Sequence, residues 1–395
     1  MADVVLHPGR DRSVRRRHPW VLSGAVARVE GAPEPGAWVH VRSADGEPLG
    51  AGHWSPHSQI RVRLLAFGKD AASVDAAAGD ALVAERIARA VARRAADPLL
   101  ADTDAVRLLN AEGDGLPGLV ADRYGDLVVV RLSTVGMAAR RALVGDALRA
   151  ATGAAAGFER PDAAAARREG MAAHQGPLWG AAPEAPVEIH ERGRRYAVDV
   201  LGGQKTGFYL DQRDARDLVE RIGRGRRVLD LFAYTGGFAV AAARGGARAV
   251  TVVESSGDAL ALAERNLAPW AGSVALRLEH ADAFRFLRRE GERYDLVVLD
   301  PPPLARRAGD VERASRAYKD ALLGALRLAE PDAWLLAFAC SHHVGPELFR
   351  KIAFGASLDA GRPLAVLAEL GAPSDHPVSL DHPEGRYLTG LLLRG

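Results

Sequence analysis

RVLDLFAYTGGFAVAAARGGARAVTVVES, residues 227–255, twice carries an apolar run up to a polar or glycine-rich break. Val228–Phe232 reads as a buried strand. Thr235-Gly236-Gly237 then turns the chain into an alanine-rich helix that stops at Gly245-Gly246, before a second strand at Val250–Val253. This is a β-α-β unit of a doubly wound α/β sheet, with an acid at its exit. Glycine lets backbone approach a ligand, and Glu254, 24 residues after Asp230, stands where a carboxylate accepts hydrogen bonds from ribose hydroxyls. A nucleoside is therefore expected. Dinucleotide sites use G-x-G-x-x-G to seat a pyrophosphate on a helix N-terminus, whereas this loop has one Gly236-Gly237 pair among Phe232, Tyr234 and Phe238. A cofactor without phosphates fits better; a tight turn that binds nothing is the alternative.

The 395 residues suffice for two or three domains with cores of their own. Hydrophobic and charged contents of 48% and 26% are those of a globular protein, and a net charge of +2 gives a polyanionic partner only weak support. Four of the 52 basic residues are lysine (Lys69, Lys205, Lys319, Lys351). Arginine suits bidentate phosphate recognition, although with so much alanine a GC-rich genome also accounts for the bias. The single cysteine, Cys340, excludes an internal disulfide and a cysteine metal cluster and fits a reducing cytoplasm. No metal is expected. No signal-peptide core is visible and no apolar run approaches the ~18 residues of a membrane span, so no membrane is expected either.

Residues 1 to about 70 alternate in short runs such as Trp38–Arg42 and Ile60–Leu64 between turn residues, the pattern of a small β-barrel. Arg10, Arg12, Arg15, Arg16 and Arg17 are followed by His18-Pro19-Trp20. A basic cluster beside an aromatic suits phosphate contact and base stacking; a solvated charge run is the plainer reading. Residues 72–100 read as a helix with Leu82, Ile87 and Val91 on one face, and Leu127–Leu132 as a strand before a helix at 137–150. The carboxylates of Glu112-Gly-Asp-Gly115 belong to glycine-rich turns and are expected to bond backbone. Residues 160–190 read as loop, with Pro183–Pro186 a seam.

Beyond Glu254 the alternation continues: helix 257–268, strand 274–278, then Asp282-Ala283-Phe284 before a helix at 283–289. Asp282 can meet an adenine amino group at the sheet edge or simply cap that helix. Tyr294–Asp300 is a strand ending in an acid and three prolines, and Trp334–Cys340 delivers the thiol to the same edge. Ser374–Gly390 reads as a terminal hairpin.

Several strings resemble known families. D-x-F-x-Y-T-G-G-F (Asp230–Phe238) resembles motif I of class I S-adenosylmethionine (SAM) methyltransferases. R-x-x-R-R-R-H-P-W-V-L-S-G-A-V and S-P-x-S-Q-I-R-V-R resemble the N-terminal PUA domain of the RlmI-like 23S rRNA (cytosine-5) methyltransferases. E-G-D-G-L-P-G-L-x-x-D-R-Y-G, K-T-G-F-Y-L-D-Q-R-x-x-R, R-x-Y-K-D and the final segment are similar to the same family, so the resemblance spans nearly the whole chain.

The resemblance implies an α/β enzyme of three parts: a PUA β-barrel (1–72), a middle α/β domain (73–188) and a Rossmann-like SAM methyltransferase domain (189–395). SAM would sit among Tyr209, Gln212, Asp230, Phe232, Tyr234, Gly236, Gly237, Glu254, Asp282, Ala283 and Asp300. Large-subunit rRNA would meet Arg10, Arg15, Arg16, Arg17, Trp20, and Arg213 or Arg216. Arg306, Arg307, Arg313 and Arg316 are further phosphate candidates, and a homodimer is expected. The (T/S)-C-S string of RNA cytosine-5 methyltransferases matches Ala339-Cys340-Ser341, making Cys340 the nucleophile and Asp300 its partner at the base. Two departures stand out. Pro303 replaces the aromatic of the (N/D)-P-P-(F/Y) amino-methylation motif, and Pro301 and Pro302 stand where related enzymes carry a second cysteine. An rRNA guanine amino-methyltransferase and a non-catalytic RNA-binding protein that retains SAM remain the alternatives; the acids Asp230, Glu254, Asp282 and Asp300 argue against the second.

Overall fold

The computed structural model describes all 395 residues except Ala185 and Arg306, so the expectation for Arg306 lies outside the described residues. The chain forms two compact units. One comprises Met1–Val187, Val200–Thr206 and Ser374–Gly385; the other Glu188–Asp199, Gly207–Pro373 and Arg386–Gly395. Among the described residues no helix is long and apolar enough to cross a membrane.

In the first unit, six strands between Ala2 and Phe67 form one curled sheet, whose inward-facing Val4, Leu6, Val39, Val41, Val62 and Leu64 make a small core. Alternation places every second side chain inside, as the sequence pattern requires. A second, five-stranded sheet runs from Ala105–Asn110 through Leu119–Tyr124 and Leu127–Leu132 to Ala156–Glu159 and Gly176–Trp179. Helix Ala76–Ala95, capped by Asp75, packs on it through Val83, Ile87, Ala90 and Val91; Ile87 and Val91 lie on the expected face, while Leu82 is only half-buried and Val83 takes its place. The helix expected at 137–150 is a short turn, Val135–Ala138, followed by Arg141–Thr152. Residues 160–190 are not plain loop: helix Ala163–Glu169 starts at the cap Asp162, and Gly176–Trp179 is an edge strand. Asp114 does bond backbone, accepting Asn110 N–H at 2.7 Å, and it also grips Arg94 with both oxygens at 2.6 and 2.8 Å.

The second unit holds the doubly wound sheet. Its strands are β1 (Arg227–Leu231), β2 (Ala249–Glu254), β3 (Ala275–His280), β4 (Tyr294–Leu299), β5 (Ala329–Cys340), β6 (Ala365–Leu370) and β7 (Leu388–Arg394), in the order β3-β2-β1-β4-β5-β7-β6. β1 to β5 are parallel, and β7 runs antiparallel between β5 and β6. The expected terminal hairpin is thus replaced: Ser374–Gly385 contributes no strand, and β7 pairs with β6 across it. Helices α1 (Arg213–Ile222), α2 (Gly237–Arg244), α3 (Gly257–Leu267), α4 (Ala283–Arg289), α5 (Val311–Leu328) and α6 (Pro346–Ala360) connect or flank the strands. Both faces are covered, so β1, β2 and β4 read as continuous apolar runs buried among Phe286, Tyr318, Leu322 and Phe349. The order reverses between β1 and β4. A crevice opens outside the carboxyl ends of strands at such a switch point, where doubly wound sheets bind ligands.

Candidate active site

Asp230, Glu254, Asp300 and Cys340 stand at or just after the carboxyl ends of β1, β2, β4 and β5, along that edge. After β1 the backbone enters the left-handed region at Phe232 (φ 60°), Tyr234 (φ 50°) and Gly236 (φ 76°). Two non-glycine residues there cost about 1–3 kcal/mol each, a strain that persists only where surroundings enforce it. The enforcement is visible. Ala233 N–H reaches Val253 O at 3.2 Å, Tyr234 N–H donates to Glu254 Oε2 at 2.8 Å, and Asn266 of α3 donates to Thr235 O at 3.0 Å. Asn266, 5% exposed, went unnoticed in sequence; a polar residue on the apolar face of helix 257–268 was the available signal.

Glu254 is therefore not simply a waiting acceptor. Its Oε1 also takes Ser255 N–H and Ser256 N–H, each at 2.8 Å, so the carboxylate builds the loop and only Oε2 keeps a lone pair for a ligand. Asp230 is fully buried on β1. Its Oδ2 accepts Ala239 N–H at 3.0 Å, tying strand to α2, while Oδ1 has no hydrogen-bond partner. Burial, with Asp300 and Glu254 adding their negative charge, pushes its pKa up to about 8.

Asp300, just after β4, is held from two sides: Gln212 Nε2 donates to Oδ2 at 3.0 Å, and Cys340 Sγ lies 3.5 Å from Oδ1. Gln212 is 2% exposed. Tyr209 meets Tyr234 edge-on at 5.4 Å, and the neighbouring Asp211 accepts Tyr387 Oη at 2.6 Å. Burial, with Asp300 and Cys340 close by, raises the Tyr209 phenol well above its usual range, and burial beside Cys340 does the same for Tyr318 of α5. Both phenols stay neutral donors. Ser341 Oγ bonds Ala305 O at 2.6 Å and so ties the end of β5 to the proline turn. Asp282 is exposed and caps α4 through Arg285 N–H at 2.9 Å; Ala283 is buried, and Phe284 meets Phe232 edge-on at 5.7 Å.

Arg213 and Arg216 require a correction. They are 0% and 2% exposed, and Glu191 of the preceding hairpin (Val187–Glu191 with Arg194–Val198) pairs with Arg216 at 2.5 and 2.7 Å and lies 3.7 Å from Arg213. Arg216 also donates to Tyr209 O at 2.9 Å and covers the Phe208 ring. Their charges are spent inside the unit, where no phosphate reaches, and they position the Tyr209–Gln212 segment instead.

Comparison with known proteins gives this arrangement a family. A PUA-like domain model matches residues 4–67, and an S-adenosylmethionine-dependent methyltransferase model matches residues 138–376. Over 399 aligned residues the chain is 40% identical to the ribosomal RNA large subunit methyltransferase I of Salmonella arizonae, and equally to that of Salmonella enteritidis, covering 99% of this chain and 97% of each relative. The chain belongs to the ribosomal RNA large subunit methyltransferase I family. The crystal structure of SMU.776 complexed with SAH superposes with a TM-score of 0.83 over 100% of both chains at 23% identity, a likeness of fold. SAM is the cofactor of this methyltransferase, and the chemistry of the crevice suits a cation: the carboxylates Asp230, Glu254 and Asp300 stand at its strand ends, and the buried Asp230 Oδ1 has no hydrogen-bond partner.

On the methyltransferase's PUA-like sheet, Arg10, Arg12 and Arg16 are exposed and line a cleft of about 690 Å³ with His18, Leu380 and Asp381. Arg15 is committed to Asp11 and Glu47, each at 2.6 Å. Arg17 lies 5.4 Å over Phe67 and 3.8 Å from Asp381. Trp20 is half-buried, with its indole N–H on Glu112 at 2.9 Å and its ring edge-on to His382 at 4.5 Å, so it is engaged within the unit. His18, His382 and Glu384 bring one candidate metal-ligand atom each within 4.8 Å of one another, a grouping hidden in sequence because the two histidines lie 364 positions apart. The Trp20 backbone N–H donates to His18 Nδ1 at 3.2 Å, which leaves the neutral ring's proton on Nε2, facing Glu384 at 3.4 Å. That is a hydrogen bond rather than an open metal donor.

Proposed function

We propose that this methyltransferase forms 5-methylcytosine in large-subunit (23S) rRNA with Cys340 as the nucleophile. The observation that carries the reading is the pairing of Cys340 Sγ with Asp300 Oδ1, 3.5 Å apart at the ends of adjacent strands β5 and β4. Carbon 5 of cytosine is a weak nucleophile. Addition of the Cys340 thiolate to carbon 6 forms a C–S bond and shifts the ring's electron pair so that carbon 5 becomes an enamine carbon. Asp300, within reach of the thiol, accepts its proton at Oδ1 and delivers it to ring nitrogen 3, where negative charge collects. Gln212 fixes the carboxylate's orientation through Oδ2.

When bound, SAM supplies an electrophilic methyl group on sulfur. Asp230, Glu254 and the loop Phe232–Gly237 are the residues to hold it, with Tyr209, Gln212, Asp282 and Ala283 around them. For release, a base removes the carbon 5 proton and the C–S bond breaks, returning the thiolate. His342 and His343 directly follow Cys340, and Pro301 and Pro302 leave no second cysteine for this step. The name of the relatives, the PUA-like match and the exposed Arg10, Arg12 and Arg16 support rRNA as substrate; the PUA-like match at residues 4–67 supports a boundary near 72, and the further boundary at 188 belongs to the same three-part reading. Wild-type enzyme acting on rRNA from a strain lacking it should yield 5-methylcytosine on nucleoside analysis. Cys340→Ala should bind SAM yet yield none. Substantial methylation by the variant, or a methylguanosine product, overturns the reading.

A further inference from the structure

Helix Ala76–Ala95 sets Arg86, Arg89 and Arg93 three and four positions apart, on one face. With Arg17, Phe67 and Pro117 these arginines line a second groove, of about 200 Å³, within the same unit as the N-terminal cleft. The two linings share Asp381. Arg86 is held not by an acid but by two carbonyls, Gly115 O and Leu65 O, each at 2.5 Å. Burial, with Arg89 and Arg17 nearby, lowers its pKa, the mark of a cation short of negative neighbours.

The carboxylates of the groove do not make up the deficit. Asp114 is closed on Arg94, Glu112 takes the Trp20 indole, and Asp381 accepts Ser379 Oγ and faces Arg17 at 3.8 Å. Glu85 reaches Arg89 at 3.5 Å on open surface, where an ion pair contributes little. Among the described residues no carboxylate pairs with Arg86 or with the exposed Arg93. The Arg17 guanidinium over Phe67 adds a flat surface suited to a base.

We infer that the groove of Arg17, Arg86, Arg89 and Arg93 is a second phosphate-binding site, which takes the RNA strand as it leaves the Arg10–Arg12–Arg16 cleft. This rests on the rRNA reading above and names where, beyond the PUA-like sheet, the substrate backbone runs. Single-stranded RNA loses affinity with salt at a log–log slope of roughly 0.7 per phosphate contact. Arg89→Glu/Arg93→Glu, both exposed on the helix, should lower that slope by about 1.4. SAM affinity should stay unchanged, and Arg89→Lys/Arg93→Lys should retain the slope.

The probe is protein-free large-subunit rRNA from a strain lacking the enzyme, with Arg10→Glu/Arg12→Glu/Arg16→Glu measured in parallel. A flattened slope in Arg89→Glu/Arg93→Glu supports the site whatever the N-terminal variant does. A wild-type slope in that variant overturns it, leaving the face to a protein partner, while a flattened slope in the N-terminal variant keeps the rRNA reading intact. Absence of salt-dependent binding by the wild type overturns the rRNA reading and this inference together.

Discussion

Asp230 shows how a single carboxylate couples fold and pH. Its pKa near 8 in the folded chain, against 3.8 for an ordinary aspartate, means the fold favours the protonated form. That contribution is complete below pH 3.8 and is lost as pH rises through 8, at up to about 1.4 kcal/mol per pH unit. Urea unfolding between pH 6 and 9 should therefore show wild-type stability falling more steeply than that of Asp230→Asn; parallel curves would mean that Asp230 is ionised throughout. A cationic cofactor acts in the opposite sense, favouring the ionised carboxylate, so saturating SAM should flatten the wild-type curve. The residue type and its place on the strand were legible in sequence. The unpartnered Oδ1 was not, because it depends on which neighbours from β4 and β2 face it. The same limit applies to Glu254, whose amide donors come from Ser255 and Ser256 beside it and from Tyr234 on the loop after β1, and whose replacement by alanine would disturb both loops as well as any ribose contact.

At the scale of elements, the hairpin 187–198 and α1 are joined by buried charge rather than by apolar packing alone. Glu191, fully buried, faces Arg194 at 3.1 Å as well as Arg213 and Arg216, and Arg194 reaches on to Asp217 and Glu220. Glu191→Gln leaves three buried guanidinium groups short of a counter-charge, which should cost about 3–5 kcal/mol in denaturant unfolding. A loss under 1 kcal/mol would mean that the remaining acids suffice. The sequence marked Arg213 and Arg216 as polar residues that need partners, but Glu191 lies 22 and 25 positions upstream on a different element. Burial is decided by that pairing, so phosphate contact and ion pairing could not be told apart from sequence. Strands β1, β2 and β4 were legible because both faces are buried and their apolar runs are unbroken. The four- to seven-residue elements between 156 and 179 were not, since so few residues establish no period.

For the whole molecule, the strand order collects acid, thiol and glycine turn from five separate strand ends at one edge of the sheet. Sequence motifs located each strand end; the reversal between β1 and β4 that brings them together is a property of the fold. Val200–Thr206 and Ser374–Gly385 join the first unit although they follow residues of the second, a membership that no local pattern could reveal. The proposed mechanism requires Cys340 to bond covalently to carbon 6 of a cytosine. Wild-type enzyme incubated with SAM and substrate rRNA carrying 5-fluorocytosine should be trapped, because fluorine replaces the proton whose removal frees the thiol. Mass analysis of the digested complex should place the nucleotide on the peptide containing Cys340, and Cys340→Ala should give no adduct. Full turnover without trapping, or an adduct that survives in the alanine variant, would contradict the mechanism.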